Sequence, residues 1–143
     1  MLKPIDLNFE RRIRASIDTV WACLTRADLI AQWFFTVDFK PVVGHRFRIR
    51  GEPKPGWRGW TDVEVVEIAA PNRMVWLFDC VEDAPPGRVV FTLEDEPGFV
   101  RFTLTHTGFV PARTRKLLDA GWQEYTQRLV LLAADDAAVV KRA

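Results

Sequence analysis

The residues of this chain best suited to chemistry are its two histidines, its two cysteines and a few arginines. His45 and His106 stand far apart in sequence, and neither has further ligands at the helical or hairpin spacing of a metal site. Cys23 and Cys80 have no neighbouring histidine, and no Gly-x-Ser-x-Gly motif or glycine-rich phosphate loop occurs. The sequence therefore predicts no metal, no cofactor and no catalytic residue.

His106 is the histidine best placed for a binding site. Strand alternation puts it on the same face as Phe102 and Leu104, so we expect it to face the interior and any cavity there. An imidazole in that position can hydrogen-bond a ligand or act as an acid or base, because its pKa lies near neutrality. The alternative, which we favour, is a neutral core histidine bonded to the backbone or to a threonine hydroxyl.

Arg11 raises a similar question, because it falls on the apolar side of the first strand. A buried guanidinium must be paired or reach water, since an isolated buried charge is strongly destabilising. Arg11 can hold an anionic head group. We expect instead that it reaches the sheet edge or pairs with an internal acid such as Asp79.

Composition and charge restrict the class of protein. The chain has 143 residues, 48% of them hydrophobic, which suits one domain with a core from about residue 7 to residue 135. Its net charge of +1 gives no general attraction to nucleic acid or to an anionic membrane. No apolar run is long enough to span a bilayer, and the first residues do not resemble a secretory signal. We expect a cytoplasmic monomer or homodimer whose cysteines are reduced core thiols.

The alternation of Arg46, Arg48 and Arg50 with Phe47 and Ile49 predicts a strand with one solvated face. Proteins that bind single-stranded nucleic acid place exposed aromatic rings among the basic residues, whereas here the apolar residues face away from the arginines. We therefore expect no nucleic-acid partner.

The pattern along the chain predicts an α+β domain. Strands are expected at residues 7–15, 35–40, 45–50, 60–68, 74–80, 88–94 and 99–106, two short helices between residues 16 and 33, and a long helix at residues 113–135. No crossover helix separates the later strands, so the sheet should be antiparallel. The tail from Ala137 onward is expected to fray.

The long C-terminal helix carries Leu118, Trp122, Tyr125, Leu129 and Leu132 at spacings of three and four, which places them on one face. A helix of this length, about 34 Å, needs a curved sheet to bury that face. Where the helix and the sheet do not interlock fully, a cavity remains between them.

Large aromatic rings are unusually frequent, with six tryptophans and ten phenylalanines but a single tyrosine. Such rigid rings are difficult to pack without gaps. Because ligand pockets are mostly apolar with a few placed polar groups, we select nine residues as candidates for lining a ligand pocket: Trp33, Trp60, Trp76, Phe78, Phe91, Phe102, His106, Trp122 and Tyr125.

The order of elements resembles the helix-grip fold of the START-like (SRPBCC) superfamily. Within it, the chain is similar to the activators of heat-shock protein 90 ATPase, in particular to their short bacterial single-domain members. The residues that carry this resemblance are Ala15-Ser16 before Val20-Trp21, Leu29 to Phe34, Gly44 with Arg46-Phe47, Leu104 to Phe109, and Gly121-Trp122. The chain departs from the pattern at Ile17, where the family usually has proline, and at His45, where it usually has glycine.

Three functions follow as hypotheses. The first is binding of a small hydrophobic or amphipathic molecule, such as a lipid, between the sheet and the C-terminal helix. The second, implied by the resemblance, is regulation of a chaperone ATPase through a surface that includes an exposed Trp57. The third is a cyclase- or hydrolase-type enzyme with His106 or Arg11 as the polar group. We prefer the first, because no acid–base partner for the third is evident.

Overall fold

The β-strands form where buried and exposed side chains alternate along the chain, as the sequence pattern predicts. The computed structural model describes residues 1–135, which form six strands and three helices. In chain order these are β1 (Lys3–Ile13), α1 (Ile17–Thr25), α2 (Ala27–Trp33), β2 (Arg46–Arg50), β3 (Trp60–Ala69), β4 (Arg73–Asp79), β5 (Gly87–Glu96), β6 (Phe99–Val110) and α3 (Ala112–Ala134). The tail from Ala137 onward, which is predicted to fray, lies outside the described residues.

All strand pairs are antiparallel, and the order across the sheet is β1-β6-β5-β4-β3-β2. The curved sheet packs its inner face against α3, with α1 and α2 between β1 and β2 in sequence. The predicted α+β helix-grip architecture is therefore confirmed.

The hairpin of β5 and β6 turns at Pro97-Gly98, between the paired residues Glu96 and Phe99. Gly98 has a φ of +85°, which a residue with a Cβ rarely adopts, and proline before it presets the turn. Phe91 pairs with Leu104 in this hairpin, as expected from the alternation of the two strands. β6 extends beyond its predicted end at residue 106, whereas β1 is shifted towards the N-terminus, beginning before residue 7 and ending before residue 15.

The short helix α1 begins where the sequence places its cap. Ser16 has extended backbone angles, and its hydroxyl oxygen accepts a hydrogen bond from the Thr19 backbone N–H at 3.1 Å. Arg26 then ends α1 and precedes α2 directly, so the two helices form one bent unit.

The prediction of a strand at residues 35–40 is wrong. The burial alternation is present, since Val37 and Phe39 are buried and Asp38 and Lys40 are exposed. However, the sheet ends at β2, and residues 35–40 belong to none of its strands. Alternating burial here reflects an extended segment packed on the core, without the ladder of hydrogen bonds that defines a strand.

The buried face of α3 is rotated relative to the predicted one. Trp122, Thr126, Leu129 and Ala133 are buried, whereas Leu118, Tyr125 and Leu132 are only partly buried. The small side chains of Thr126 and Ala133 allow the helix to approach the sheet closely. The hydropathy pattern favoured the larger residues Tyr125 and Leu132. It therefore placed this part of the buried face one residue before Thr126 and Ala133, which are the residues that are buried.

Arg11 joins the first strand to α3. Its Nε donates to Thr126 Oγ1 at 3.1 Å and its NH2 group to Gln123 Oε1 at 2.9 Å. The Thr126 hydroxyl in turn donates to the Trp122 carbonyl at 2.7 Å. The expected pair with Asp79 is wrong, because Asp79 lies on β4 and contacts Arg58 instead.

Replacing Trp122 by alanine should lower the free energy of unfolding by about 3–5 kcal/mol, because the ring is 2% exposed and its removal leaves a large cavity. Leu131→Ala on the same helix is the matched control, since Leu131 is 65% exposed. Urea denaturation of both variants measures the difference. Equal stabilities of the two variants would contradict this account of the core.

Candidate functional site

A pocket of about 430 Å³ lies between the N-terminal half of α3, the inner face of the sheet and the loop of residues 51–59. Six aromatic rings line it, those of Phe34, Phe35, Trp57, Phe78, Trp122 and Tyr125. Exposed residues of the loop and of α3, including Glu52, Lys54 and Glu124, lie around it. The volume lies within the range typical of small-molecule sites.

The rings are held in a fixed arrangement by one another. Phe34, directly after α2, stacks on Trp122 with centroids 5.4 Å apart and planes within 3°. It also meets the Tyr125 ring edge-on at 5.2 Å, and Phe35 meets that ring at 5.5 Å. Such pairs prefer these offset and perpendicular geometries, so the walls are preformed.

The loop of residues 51–59 closes one end of the pocket. The Thr114 hydroxyl at the start of α3 donates to the Gly56 carbonyl at 2.7 Å, which fastens the loop to the helix. A Cβ at Gly51 would lie 2.7 Å from the Trp57 ring, so only glycine permits the ring to lie this close to that backbone. The loop therefore forms a structured wall.

The inner surface of the pocket is formed by β2, β3 and the end of β4. Ile49 and Phe78 supply apolar surface, and Thr61 and Cys80 supply one hydroxyl and one thiol. The Trp57 Nε1 group donates to Thr61 Oγ1 at 3.0 Å and so links the loop to this surface.

Of the nine residues selected from the sequence, Phe78, Trp122 and Tyr125 line the pocket. Others lie behind it in the buried core: Trp33, Trp76, Phe91, Phe102 and His106. Trp33 Nε1 donates to the Cys23 carbonyl at 2.8 Å. Trp76 packs among the Phe34, Phe39, Phe47 and Phe91 rings, and its Nε1 has no hydrogen-bond partner within residues 1–135.

Trp60, the ninth selected residue, is not among the residues that line this pocket. Strand alternation places it with Asp62 on the face of β3 opposite to the buried Thr61. The Arg58 and Arg48 guanidinium groups cover its ring, with centroid distances of 3.3 and 4.3 Å. Its partners are thus cations on the outer face of the sheet, and the pocket lies on the other side.

His106 is a buried neutral histidine that supports the pocket wall from behind. Trp122 Nε1 donates to His106 Nδ1 at 2.9 Å, which leaves the ring proton on Nε2. Burial lowers the pKa of His106 from 6.5 to about 4. The favoured interpretation, a hydrogen-bonded core histidine, agrees with this contact, although the partner is an indole and not the backbone or a threonine.

Sequence reasoning missed most of the residues that line the pocket, among them Phe34, Phe35, Trp57 and Thr61. Phe34 fell between the predicted second helix and the predicted strand at residues 35–40, and Phe35 was assigned to that strand. Thr61 was not distinguished from other strand threonines. Trp57 was expected to be exposed, which is wrong, because it is half-buried and packs against the core. The glycines on both sides of Trp57 in the 51–59 loop were the feature of the sequence that could have indicated a closely packed ring.

The comparisons with known proteins agree with this fold. A family model described as activator of Hsp90 ATPase homolog 1-like protein matches residues 14–134. The chain belongs to this family. The predicted resemblance, including the START-like superfamily, is thereby confirmed.

Several solved structures are similar to this chain over nearly its full length. Protein MLL2253 from Mesorhizobium loti is 26% identical with a TM-score of 0.79, covering 97% of this chain and 98% of that chain. Protein BH1534 from Bacillus halodurans is 25% identical with a TM-score of 0.71, covering 90% and 96% respectively. The Aha1 dimer from Colwellia psychrerythraea is 18% identical with a TM-score of 0.73, covering 92% and 97%, a likeness that shows the fold alone. No curated protein matches the sequence.

Among residues 1–135 of the protein, no three or more His, Cys, Asp or Glu side chains lie close enough together to hold a metal ion. None of the described helices is both long and apolar enough to cross a membrane. Burial raises the pKa of Cys23 and of Cys80 to about 11, so both side chains are neutral thiols near pH 7.

The stability of the protein should depend on the protonation of His106. Between about pH 6.5 and pH 4 the unfolded chain binds a proton at this residue that the folded chain does not, so stability falls as the pH falls. The shift predicts a loss of about 2 kcal/mol between pH 7 and pH 5. Urea denaturation of the wild type and of His106→Asn measures it. The variant should lose this part of the pH dependence, and identical profiles would contradict the assignment.

Proposed function

We propose that this protein binds a small hydrophobic or amphipathic molecule in the aromatic pocket between α3 and the sheet. The observation that carries the proposal is the pocket itself, a preformed space of about 430 Å³ with six aromatic rings in its lining. Burial of apolar ligand surface contributes about 25 cal/mol per Å², and the preformed walls reduce the entropic cost of binding.

The polar groups near the pocket suit an amphipathic ligand. The Tyr125 side chain is half-buried, and burial raises its pKa, so its neutral hydroxyl can donate or accept a hydrogen bond. The charged residues Glu52, Lys54 and Glu124 are exposed where a polar end of a ligand would meet water. The apolar body would then lie among the rings.

The two alternative functions have less support. Chaperone regulation was expected to use an exposed Trp57, and this side chain is instead part of the pocket wall. An enzymatic role was expected to use His106 or Arg11. His106 lies outside the pocket lining with its Nδ1 occupied, and Arg11 is bonded to α3. Neither residue is therefore presented to a molecule in the pocket.

Titration with the neutral fluorescent probe N-phenyl-1-naphthylamine tests the proposal. The probe should bind the wild type with increased emission, because the pocket excludes water. Leu118→Trp adds volume on the pocket side of α3 and should weaken binding at least ten-fold, whereas Leu131→Trp on the exposed side should not.

Extraction of the protein purified under native conditions, followed by mass spectrometry, would identify a co-purifying molecule. Absence of probe binding to the wild type, or equal binding by the two tryptophan variants, would refute the pocket as the binding site. Repeated recovery of empty protein would count against a tightly held natural ligand.

A further inference from the structure

The inner surface of the pocket contains a hydroxyl group with an unused hydrogen. Thr61 is 2% exposed and lines the pocket, and its Oγ1 accepts the Trp57 indole N–H at 3.0 Å. A threonine hydroxyl can accept and donate at once. The Thr61 hydroxyl donates no hydrogen bond to any of residues 1–135, and buried donors normally have a partner.

Cys80 adds a second, weaker donor beside Thr61. The ladder of β3 and β4 ends at the antiparallel pair of Asp62 with Asp79. Thr61 directly precedes Asp62 and Cys80 directly follows Asp79, so both lie one position beyond this pair, on the side of the pocket. Cys80 is 4% exposed and lines the pocket. Burial raises its pKa to about 11, so the sulfur retains its hydrogen near pH 7. This part of the pocket therefore offers hydrogen-bond donors.

The charges around the pocket restrict the ligand further. Among residues 1–135, no guanidinium or imidazole group lines the pocket, and the one ammonium group there, that of Lys54, belongs to an exposed residue of the loop. A carboxylate or phosphate at the buried end would lose its hydration without gaining a cation, which is strongly unfavourable. A neutral acceptor would meet a donor at no such cost.

We infer that the pocket selects an uncharged, largely apolar molecule with an acceptor oxygen at its buried end, such as a ketone, ester or quinone carbonyl, bonded by the Thr61 hydroxyl. This inference rests on the proposed binding function and specifies its ligand class. Sites that hydrogen-bond a ligand group discriminate strongly against analogues that lack it, because their polar group is then left unpaired.

Two probes of nearly equal shape test the inference: 2-acetylnaphthalene, which carries the carbonyl, and 2-ethylnaphthalene, which does not. Their dissociation constants are measured by displacement of N-phenyl-1-naphthylamine from the wild type, Thr61→Val and Thr61→Ser. Valine keeps the shape of threonine without the hydroxyl, and serine restores the hydroxyl. The preference for the ketone should fall about five-fold in Thr61→Val and return in Thr61→Ser.

The ratio of the two constants is the decisive quantity. The different hydrophobicities of the probes cancel between variants, as does any movement of Trp57 that affects both probes alike. An unchanged ratio in Thr61→Val would overturn the inference while leaving the proposed function intact. Failure of the wild type to bind any of the three compounds would instead refute the proposed function.

A measurement on the wild type alone makes the test independent of how well the variants fold. The C=O stretching band of bound 2-acetylnaphthalene should lie at lower wavenumber than in an alkane solvent, because a donor weakens the carbonyl bond. A band at the alkane position would overturn the inference.

Discussion

The arrangement of the whole molecule depends on how the Trp122 indole is fixed between α3 and the sheet. Its N–H group is bonded to His106 on β6, and its ring stacks on Phe34 at the end of α2. One side chain thus joins the long helix, the central sheet and the short helices. The indole fills the space between α3 and the sheet, and moving it out would leave a cavity there. Its size therefore sets the distance between the helix and the sheet at this point.

The parts of α3 before and after Trp122 pack differently. The C-terminal half buries Thr126, Leu129 and Ala133, whose modest size permits close packing, and Arg11 fastens it to β1. The N-terminal half instead presents Leu117, Leu118 and Gly121 to the pocket and is fastened to the 51–59 loop through Thr114. The pocket therefore lies where the helix meets the loop and ceases to pack directly on the sheet.

The fold could be predicted from the sequence because local patterns encode it redundantly. Strand alternation, the Ser16 cap and the Pro97-Gly98 turn each report a structure formed by neighbouring residues. The segment of residues 35–40 was mispredicted, since alternation records burial and cannot show whether a partner strand exists.

The site was predicted less well than the fold, and the reason is physical. A ring in the core and a ring in a pocket wall have the same hydropathy and can share the same periodicity. Phe91 and Phe78 both face inward from neighbouring strands, yet only Phe78 lines the pocket. The distinction depends on the position of α3 and on the path of the 51–59 loop. Both are set by contacts between residues far apart in sequence, such as Thr114 with Gly56.

The pocket walls divide into two groups with different consequences for specificity. Phe34, Phe78 and Trp122 are almost fully buried and also belong to the core, so changing them alters stability together with binding. Phe35 and Tyr125 are only partly buried, and substitutions there disturb less packing. Thr61 is buried, but valine has nearly its shape, so its hydroxyl can be removed with little change in volume. The apolar character of the pocket is thus tied to the fold, whereas its polar selectivity depends on a few atoms that can change while the fold is retained.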